Sequence, residues 1–273
     1  MRVGTHVPAG DPFGGASTAD ADVVQLHLSA PLQWRAPRQR SDADAQALRA
    51  ADLVGSVHAP YLCNPASADP LVRERTTTVL QQTLDEAERV GARGVIVHAG
   101  HAAGGGTMAD ALARWLDTAA PLQSAVPLLV ENTASGSAAP GRHLEDIVAL
   151  FEALHGADLG VPIGACLDTC HAFAGDPASA QDPTGWVDAF AAAAGGIDVL
   201  HVNDSRVPAG GGRDLHARIG QGMIPTDTLT TMIRAAAAHG AHSAILETPG
   251  DLVAKRDEIA LLRAVLDGEE VAP

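Results

Sequence analysis

Six short apolar runs in this chain each end on a side chain that can bind a metal ion. Ser56-Val57 leads to His58, Gly94-Val95-Ile96-Val97 to His98, and Leu128-Leu129-Val130 to Glu131. Ala165-Cys166-Leu167 leads to Asp168, Val199-Leu200 to His201, and Ala244-Ile245-Leu246 to Glu247. Three more ligand types lie just beyond such ends: His171, and the Asp214/His216 pair in Arg213-Asp214-Leu215-His216. A polar residue closing a strand is ordinarily a cap or a hydrogen-bonded rim group. Six in succession fit that explanation badly, because converging carboxylates without cations cost several kcal/mol per unpaired buried charge. A zinc ion takes about four ligands. Five histidines and four carboxylates therefore imply two or three ions, with one carboxylate bridging. Mixed imidazole and carboxylate ligands favour zinc, with manganese or iron as the alternatives.

Such a cluster needs strands whose ends converge. Apolar, β-branched runs predict strands over 2–6, 22–28, 53–58, 94–98, 127–131, 163–168, 198–201 and 243–247. Between them, Ala-rich stretches with 3.6-residue spacing predict helices over 67–90, 107–120, 143–154, 184–194, 225–238 and 255–266. Ser41-Asp42 reads as a helix start and Pro225 as a first-turn residue. Eight strands joined by helical connections predict a parallel sheet, either closed or open and doubly wound. No Gly-x-Gly-x-x-Gly follows the first strand. The closed form, an α/β eight-stranded parallel (β/α)8 TIM barrel, brings all strand C-termini to one mouth, where active sites of that fold sit. The 273 residues fit one such barrel of about 250 residues, and no linker divides 1–273 into two domains. Gly104-Gly105-Gly106 and Gly210-Gly211-Gly212 read as loops, either plain linkers or functional ones.

Composition removes other classes. The formal charge of −15 excludes a broadly basic nucleic-acid wrapper but not a local basic rim. Eight of the arginines, Arg35, Arg38, Arg40, Arg73, Arg75, Arg206, Arg213 and Arg218, follow strand ends, which offsets the global charge on one side. Lys255 is the one lysine and lies in a late helical stretch, so Schiff-base chemistry is not expected. Cys63, Cys166 and Cys170 read as packing residues rather than a disulfide or zinc framework. No apolar run approaches a membrane span, and the first residues lack a signal-peptide pattern, so a cytoplasmic, membrane-free protein is expected. Of the remaining histidines, His143, His155, His239 and His242 read as surface or packing residues and His27 as lying within a strand. His101 reads as a neighbour of the site, and His6 as facing the mouth without being a ligand.

The motifs around these residues resemble endonuclease IV, the metal-dependent apurinic/apyrimidinic endonuclease (deoxyribonuclease IV) family of base-excision repair. The matching segments are Val57-His58-Ala59-Pro60-Tyr61-Leu62, Val97-His98-Ala99-Gly100, Glu131-Asn132-Thr133-Ala134, Cys166-Leu167-Asp168-Thr169-Cys170-His171-Ala172-Phe173, His201-Val202-Asn203-Asp204-Ser205 and Asp214-Leu215-His216-Ala217-Arg218-Ile219-Gly220. They occur in family order and, with Glu247, span essentially the whole chain. The resemblance implies a barrel carrying three zinc ions, with manganese an alternative at one site. His58, His98 and Glu131 would hold the first, and Glu131, Asp168, His201 and Glu247 the second. His171, Asp214 and His216 would hold the third, and Glu131, as the bridge, is the expected catalytic residue. The implied substrate is double-stranded DNA with abasic sites, cut 5′ to the lesion to leave a 3′-hydroxyl and a 5′-deoxyribose phosphate, with 3′-blocking groups also removed. Tyr61 and Leu62 match the family's wedge, although Tyr61 also reads as an ordinary rim aromatic. Leu32, in Ala30-Pro31-Leu32-Gln33-Trp34, stands where the family places an inserting arginine, and an apolar wedge is expected there instead. Arg35, Arg206, Arg213 and Arg218 are the expected phosphate contacts. A soluble monomer without an obligate protein partner is expected.

Two rivals stay open. A single-metal sugar isomerase or epimerase on the same barrel would need only Glu131, Asp168, His201 and Glu247, leaving His58, His98, His171, Asp214 and His216 surplus. A metal-carrying or DNA-damage-binding protein without catalysis would keep the ligands but cut nothing.

Overall fold

A computed structural model of the protein describes residues 1–269. Its strands are β1 (Arg2–His6), β2 (Val23–Leu26), β3 (Val54–His58), β4 (Val95–His98), β5 (Leu128–Glu131), β6 (Ile163–Asp168), β7 (Val199–His201), β8 (Asp204–Ser205), β9 (His216–Ala217) and β10 (Ser243–Leu246). Eight of them form a closed barrel in the order β1-β10-β7-β6-β5-β4-β3-β2, with every pairing parallel. The expected closed architecture is the one found. β8 and β9 form a separate antiparallel pair after β7.

Helices α1 (Pro12–Ala19), α2 (Asp42–Ala50), α3 (Pro70–Val90), α4 (Met108–Ala119) and α5 (Leu144–His155) surround the first half of the barrel. The rest is covered by α6 (Thr169–Gly175), α7 (Ala178–Gln181), α8 (Pro183–Ala194), α9 (Thr226–Ala238) and α10 (Leu252–Leu266). Three of them start on an Asp-Pro step, where the carboxylate of Asp11, Asp69 or Asp182 accepts a first-turn N–H and the proline occupies the first helical position. Ser41 caps α2 as expected, its hydroxyl accepting from Asp44 N–H. Pro225 stands one place earlier than expected, at the cap of α9. No helix among the described residues is long and apolar enough to cross a membrane.

Two apolar layers hold the barrel. The outer one lies between strands and helices and includes the fully buried Trp115, Phe151, Phe190 and Leu26. The inner one is a small plug of Val23, Ile96, Leu129, Cys166, Val199 and Ile245. Side chains alternate across a strand, so the residue two places on points the same way. Counting two from each plug residue gives Gln25, His98, Glu131, Asp168, His201 and Glu247. The polar layer at the mouth is therefore fixed by the apolar layer beneath it.

Differences from the expected elements are local. β2 ends at Leu26 rather than at residue 28, and its pairing with β3 shifts register between Val24 and Gln25. His27 consequently lies beyond the strand, not within it. The sequence Pro-Phe-Gly-Gly-Ala-Ser-Thr-Ala of α1 has no apolar periodicity, and the cap at Asp11 defines it instead.

Asp176 illustrates how connections are pinned. It is buried and accepts from Leu144 N–H, Ala178 N–H and the Trp186 indole, each at 3.0 Å, so it ties the starts of α5, α7 and α8 together. Burial favours its neutral form, but these donors outweigh burial and hold its carboxyl below the ordinary aspartate value. A lowered folded pKa adds stability above the unfolded value, and that stability disappears as pH falls through the folded value. Asp176→Asn should cost about 1–3 kcal/mol at pH 7. The gap between variant and wild type should shrink as denaturant titrations are moved from pH 7 to pH 3.

Candidate metal centre

Glu131, at the end of β5, is fully buried and stands at the middle of the mouth. Its Oε2 lies 3.2 Å from His58 Nε2 and 3.3 Å from His98 Nε2. Its Oε1 lies 3.0 Å from His201 Nδ1, a nitrogen that also faces Glu247 Oε2 at 3.3 Å and Asp168 Oδ2 at 3.9 Å. Asp214 reaches in from the loop before β9, with its two oxygens 3.2 Å from His171 Nε2 and 3.0 Å from His216 Nε2. His216 Nε2 is 3.8 Å from Asp168 Oδ2. All nine expected ligand side chains thus meet in one cluster.

Their ligand atoms gather in overlapping sets within 4.8 Å: His58, His98 and Glu131; Glu131, Asp168, His201 and Glu247; and Asp168, His171 and His216. Asp168 thus reaches two sets, a sharing that the one-ion-per-group assignment did not include. Two further sets bring in cysteines, Cys166 with Glu131 and His201, and Cys170 with Asp214 and His216. Cys166 belongs to the apolar plug and Cys170 Sγ–H reaches Leu215 O at 3.8 Å, so packing is the simpler role for both.

Backbone and side-chain partners select which histidine nitrogen faces the cluster. His58 Nδ1–H donates to Ala59 O at 2.7 Å, and His171 Nδ1–H to Asn132 O at 2.9 Å, which leaves each Nε2 as the nitrogen available to a metal ion. His201 is turned the other way, with Nε2–H donating to Gln25 Oε1 at 2.9 Å and Nδ1 facing inward. Such outer hydrogen bonds fix tautomer and ring orientation for metal binding. The Nε2 atoms of His171 and His216 are buried without a hydrogen-bond partner. A cation between them and Asp214 satisfies both, so the residues fit a divalent metal.

The electrostatics are mutual. Burial opposes charge at His58 and His171, yet both are held above the ordinary histidine value, His58 by Glu131 and His171 by Asp168 and Asp214. Burial would raise Glu131, but His201 and His98 hold it well below the ordinary glutamate value. Glu247, against burial, is drawn to about 2 by His201 and His58. His6 and His27 are pushed by burial to about 4 and about 3, so both are neutral near pH 7.

Three supporting residues were not anticipated. Gln25 Nε2 donates to Glu247 Oε1 at 2.6 Å, while its Oε1 also accepts from Ser56 at 2.9 Å. Asn203 donates to Asp168 Oδ2 at 2.7 Å and accepts from Glu247 N–H at 3.0 Å. Asn132 accepts from Asp168 N–H at 2.7 Å and donates to its carbonyl at 3.0 Å. The two-residue step from Val23 to Gln25 was the available signal for the first.

Trp34, Tyr61 and Leu62 line a cavity of about 470 Å³ whose other walls include His98, His171 and Asp214. Leu32 stands exposed on the loop after β2. Arg35, Arg206 and Arg213 are exposed on the mouth loops. Arg218 is different: its guanidinium pairs with buried Glu258 at 3.3 Å and donates to Ala254 O at 3.1 Å.

A family profile described as "Xylose isomerase-like TIM barrel" matches residues 13–265. The chain is 43% identical over 267 residues to "Probable endonuclease 4" of Mycobacterium ulcerans (strain Agy99), covering 98% of this chain and 100% of the relative. The protein of the same description from Mycobacterium leprae (strain Br4923) is 41% identical over 268 residues, with 98% and 100% covered. The chain belongs to the endonuclease IV family. Among solved structures, endonuclease IV from Thermus thermophilus superposes with a TM-score of 0.80 at 31% identity, covering 98% of this chain and 100% of that one. Family membership makes the chain a hydrolytic enzyme, an endonuclease on a TIM barrel whose mouth gathers candidate metal-binding side chains. A D-tagatose 3-epimerase-like protein superposes with a TM-score of 0.75 at 18% identity, with 98% and 99% covered, which speaks to the fold alone.

Gln25→Leu removes the acceptor of His201 Nε2–H and the donor to Glu247 while keeping the volume. It should weaken metal affinity about 10- to 100-fold, measured by competition against a chromogenic chelator. Unchanged affinity would show that Gln25 only packs.

Proposed function

We propose that the chain, acting over 1–273 as one domain, is a zinc-dependent AP endonuclease of base-excision repair. It hydrolyses the phosphodiester 5′ to an abasic site in double-stranded DNA, leaving a 3′-hydroxyl and a 5′-deoxyribose phosphate, and removes 3′-blocking groups. The observation that carries this reading is the size of the ligand set, since the overlapping groups around Glu131 and Asp168 exceed what one ion can take. Three zinc ions are the proposed load, with manganese an alternative at one site. His58, His98 and Glu131 would hold one, Glu131, Asp168, His201 and Glu247 a second, and His171, Asp214 and His216 a third. Bound divalent ions supply Lewis-acid neutralisation of phosphoryl charge and a nucleophilic water near pH 7.

The chain's own residues do the rest. Glu131 turns one oxygen to His58 and His98 and the other to His201, which holds the two halves of the centre in fixed relation. Tyr61, Leu62 and Leu32 enter the base stack beside the lesion, and an abasic sugar leaves the stack more cheaply than a paired nucleotide does. Arg35, Arg206 and Arg213 take phosphates without reading sequence. Arg218 contributes less, being engaged by Glu258. The proposed setting is the cytoplasm, with DNA as partner, no membrane and no obligate protein partner.

The epimerase alternative uses one ion and leaves His58, His98, His171, Asp214 and His216 idle. Metal analysis separates the two, with about three zinc per chain expected here against a single ion for the epimerase. Purified protein should nick a duplex carrying a tetrahydrofuran abasic analogue, and Glu131→Gln should lose most of that rate while its circular dichroism is unchanged. A variant cutting at the wild-type rate would remove Glu131 from the mechanism. Arg35→Ala and Arg213→Ala should each weaken binding on every sequence and lower the salt slope of log K by about one, read by fluorescence anisotropy.

A further inference from the structure

The loop that follows β2 is joined to the end of β3 and the loop after it by three hydrogen bonds, and His27 makes two of them. His27 Nδ1–H donates to His58 O at 3.1 Å, so its Nε2 carries the lone pair. The Tyr61 hydroxyl, 3.3 Å from that nitrogen, donates to it. The third bond runs from Tyr61 N–H to Pro31 O at 2.9 Å. Leu32 follows Pro31, so the two loops carry Leu32, 71% exposed, and Tyr61, 47% exposed, on a shared base. The Tyr61 ring is further located by the metal-centre imidazoles, nearly parallel to His98 (19°, 5.7 Å between centroids) and edge-on to His58 (72°, 5.2 Å).

We propose that His27 is a positioning residue that clasps these two loops into one rigid apolar blade, formed before DNA arrives. The inference rests on the function proposed above, in which the blade enters the stack of duplex DNA. Its physical reason is preorganisation: a wedge that is already ordered does not lose side-chain and loop freedom on binding. Both His27 nitrogens are engaged by protein groups, which leaves neither for a metal. A phenylalanine at this position would fill the same space but offer neither a donor to His58 O nor an acceptor to Tyr61.

The test uses the metal-loaded protein. In free protein with ¹⁵N-labelled histidine, the His27 resonances, identified by their loss in His27→Phe, should report a protonated Nδ1 and an Nε2 acceptor. Tyr61→Phe should move the Nε2 shift, and an unmoved shift would overturn the clasp. On the tetrahydrofuran duplex, His27→Phe should raise KM about fivefold, the worth of roughly one hydrogen bond, with kcat and metal content unchanged. The double variant His27→Phe/Tyr61→Phe should do no worse than the more damaging single one. Fully additive losses, or a fall in metal content, would overturn the proposal in favour of a purely structural histidine. A wild-type protein that ignores the duplex would sink the proposed function, and the nitrogen shift would still decide the clasp.

Discussion

A carboxylate with no exposure to water has to be surrounded by positive charge or by donors, and Glu131 is such a carboxylate. The same holds for Asp168, which is also fully buried. An isolated buried ion of this kind costs several kcal/mol even after relaxation. The structure meets that demand by directing the imidazoles of His58 and His201, both held toward their charged form, at the two oxygens of Glu131 and amide or backbone donors at Asp168. The same convergence that makes the site tolerable makes it a place for divalent cations. The mouth is therefore best understood as a set of charges that could not stay buried separately.

The barrel supplies that convergence through a two-residue step. Each plug residue sets the direction of the residue two places on, so the apolar interior and the polar mouth are two layers of one pattern. Asp214 and His216 stand outside that pattern, because no barrel strand carries them. Buried Asp204 governs their loop. Its carboxylate accepts from the N–H groups of Ser205, Gly220, Gly222 and Ile224, holding the chain after β9 against β8. Glu258 adds a second anchor through Ile219 N–H and Thr248 Oγ1, both at 2.9 Å, which joins this loop to the residue after Glu247.

How much of this was legible follows from which signals are local. Strand ends, their terminal ligands and the long helices are written in short apolar runs and 3.6-residue spacing, and all eight barrel strands stand where those runs do. Gln25 escaped notice because a lone polar residue inside an apolar run carries no sign of its partners, which lie on β3, β7 and after β10. His27 reads as part of β2 because the apolar run continues through Leu28, whereas the pairings with β1 and β3 stop at Gln25 and Leu26. Arg218 read as a mouth cation because its sequence position is right, and only packing against α10 reveals Glu258 beside it. Contacts across the barrel set these features, and one-dimensional spacing does not report them.

The placement of cations completes the argument about charge. At the closed end of the barrel, Arg2 and Arg93 both pair with Asp52, at 3.2 and 2.6 Å, and Arg263 pairs with Asp20 and Asp22, at 2.9 and 2.7 Å. Those residues stand at or just before the starts of β1, β2, β3 and β4, or in the last turn of α10, so they knit the strand starts together. Exposed pairs of this kind contribute little individually, and their use is in neutralising one face. At the mouth, Arg35, Arg206 and Arg213 are left exposed on loops after β2 and β7. With the order β2-β1-β10-β7 around the barrel, those loops sit on well-separated sides of the metal centre. An acidic protein can thereby present a locally cationic rim to a polyanion, because net charge sets its solubility while the distribution of unpaired charge sets its encounters.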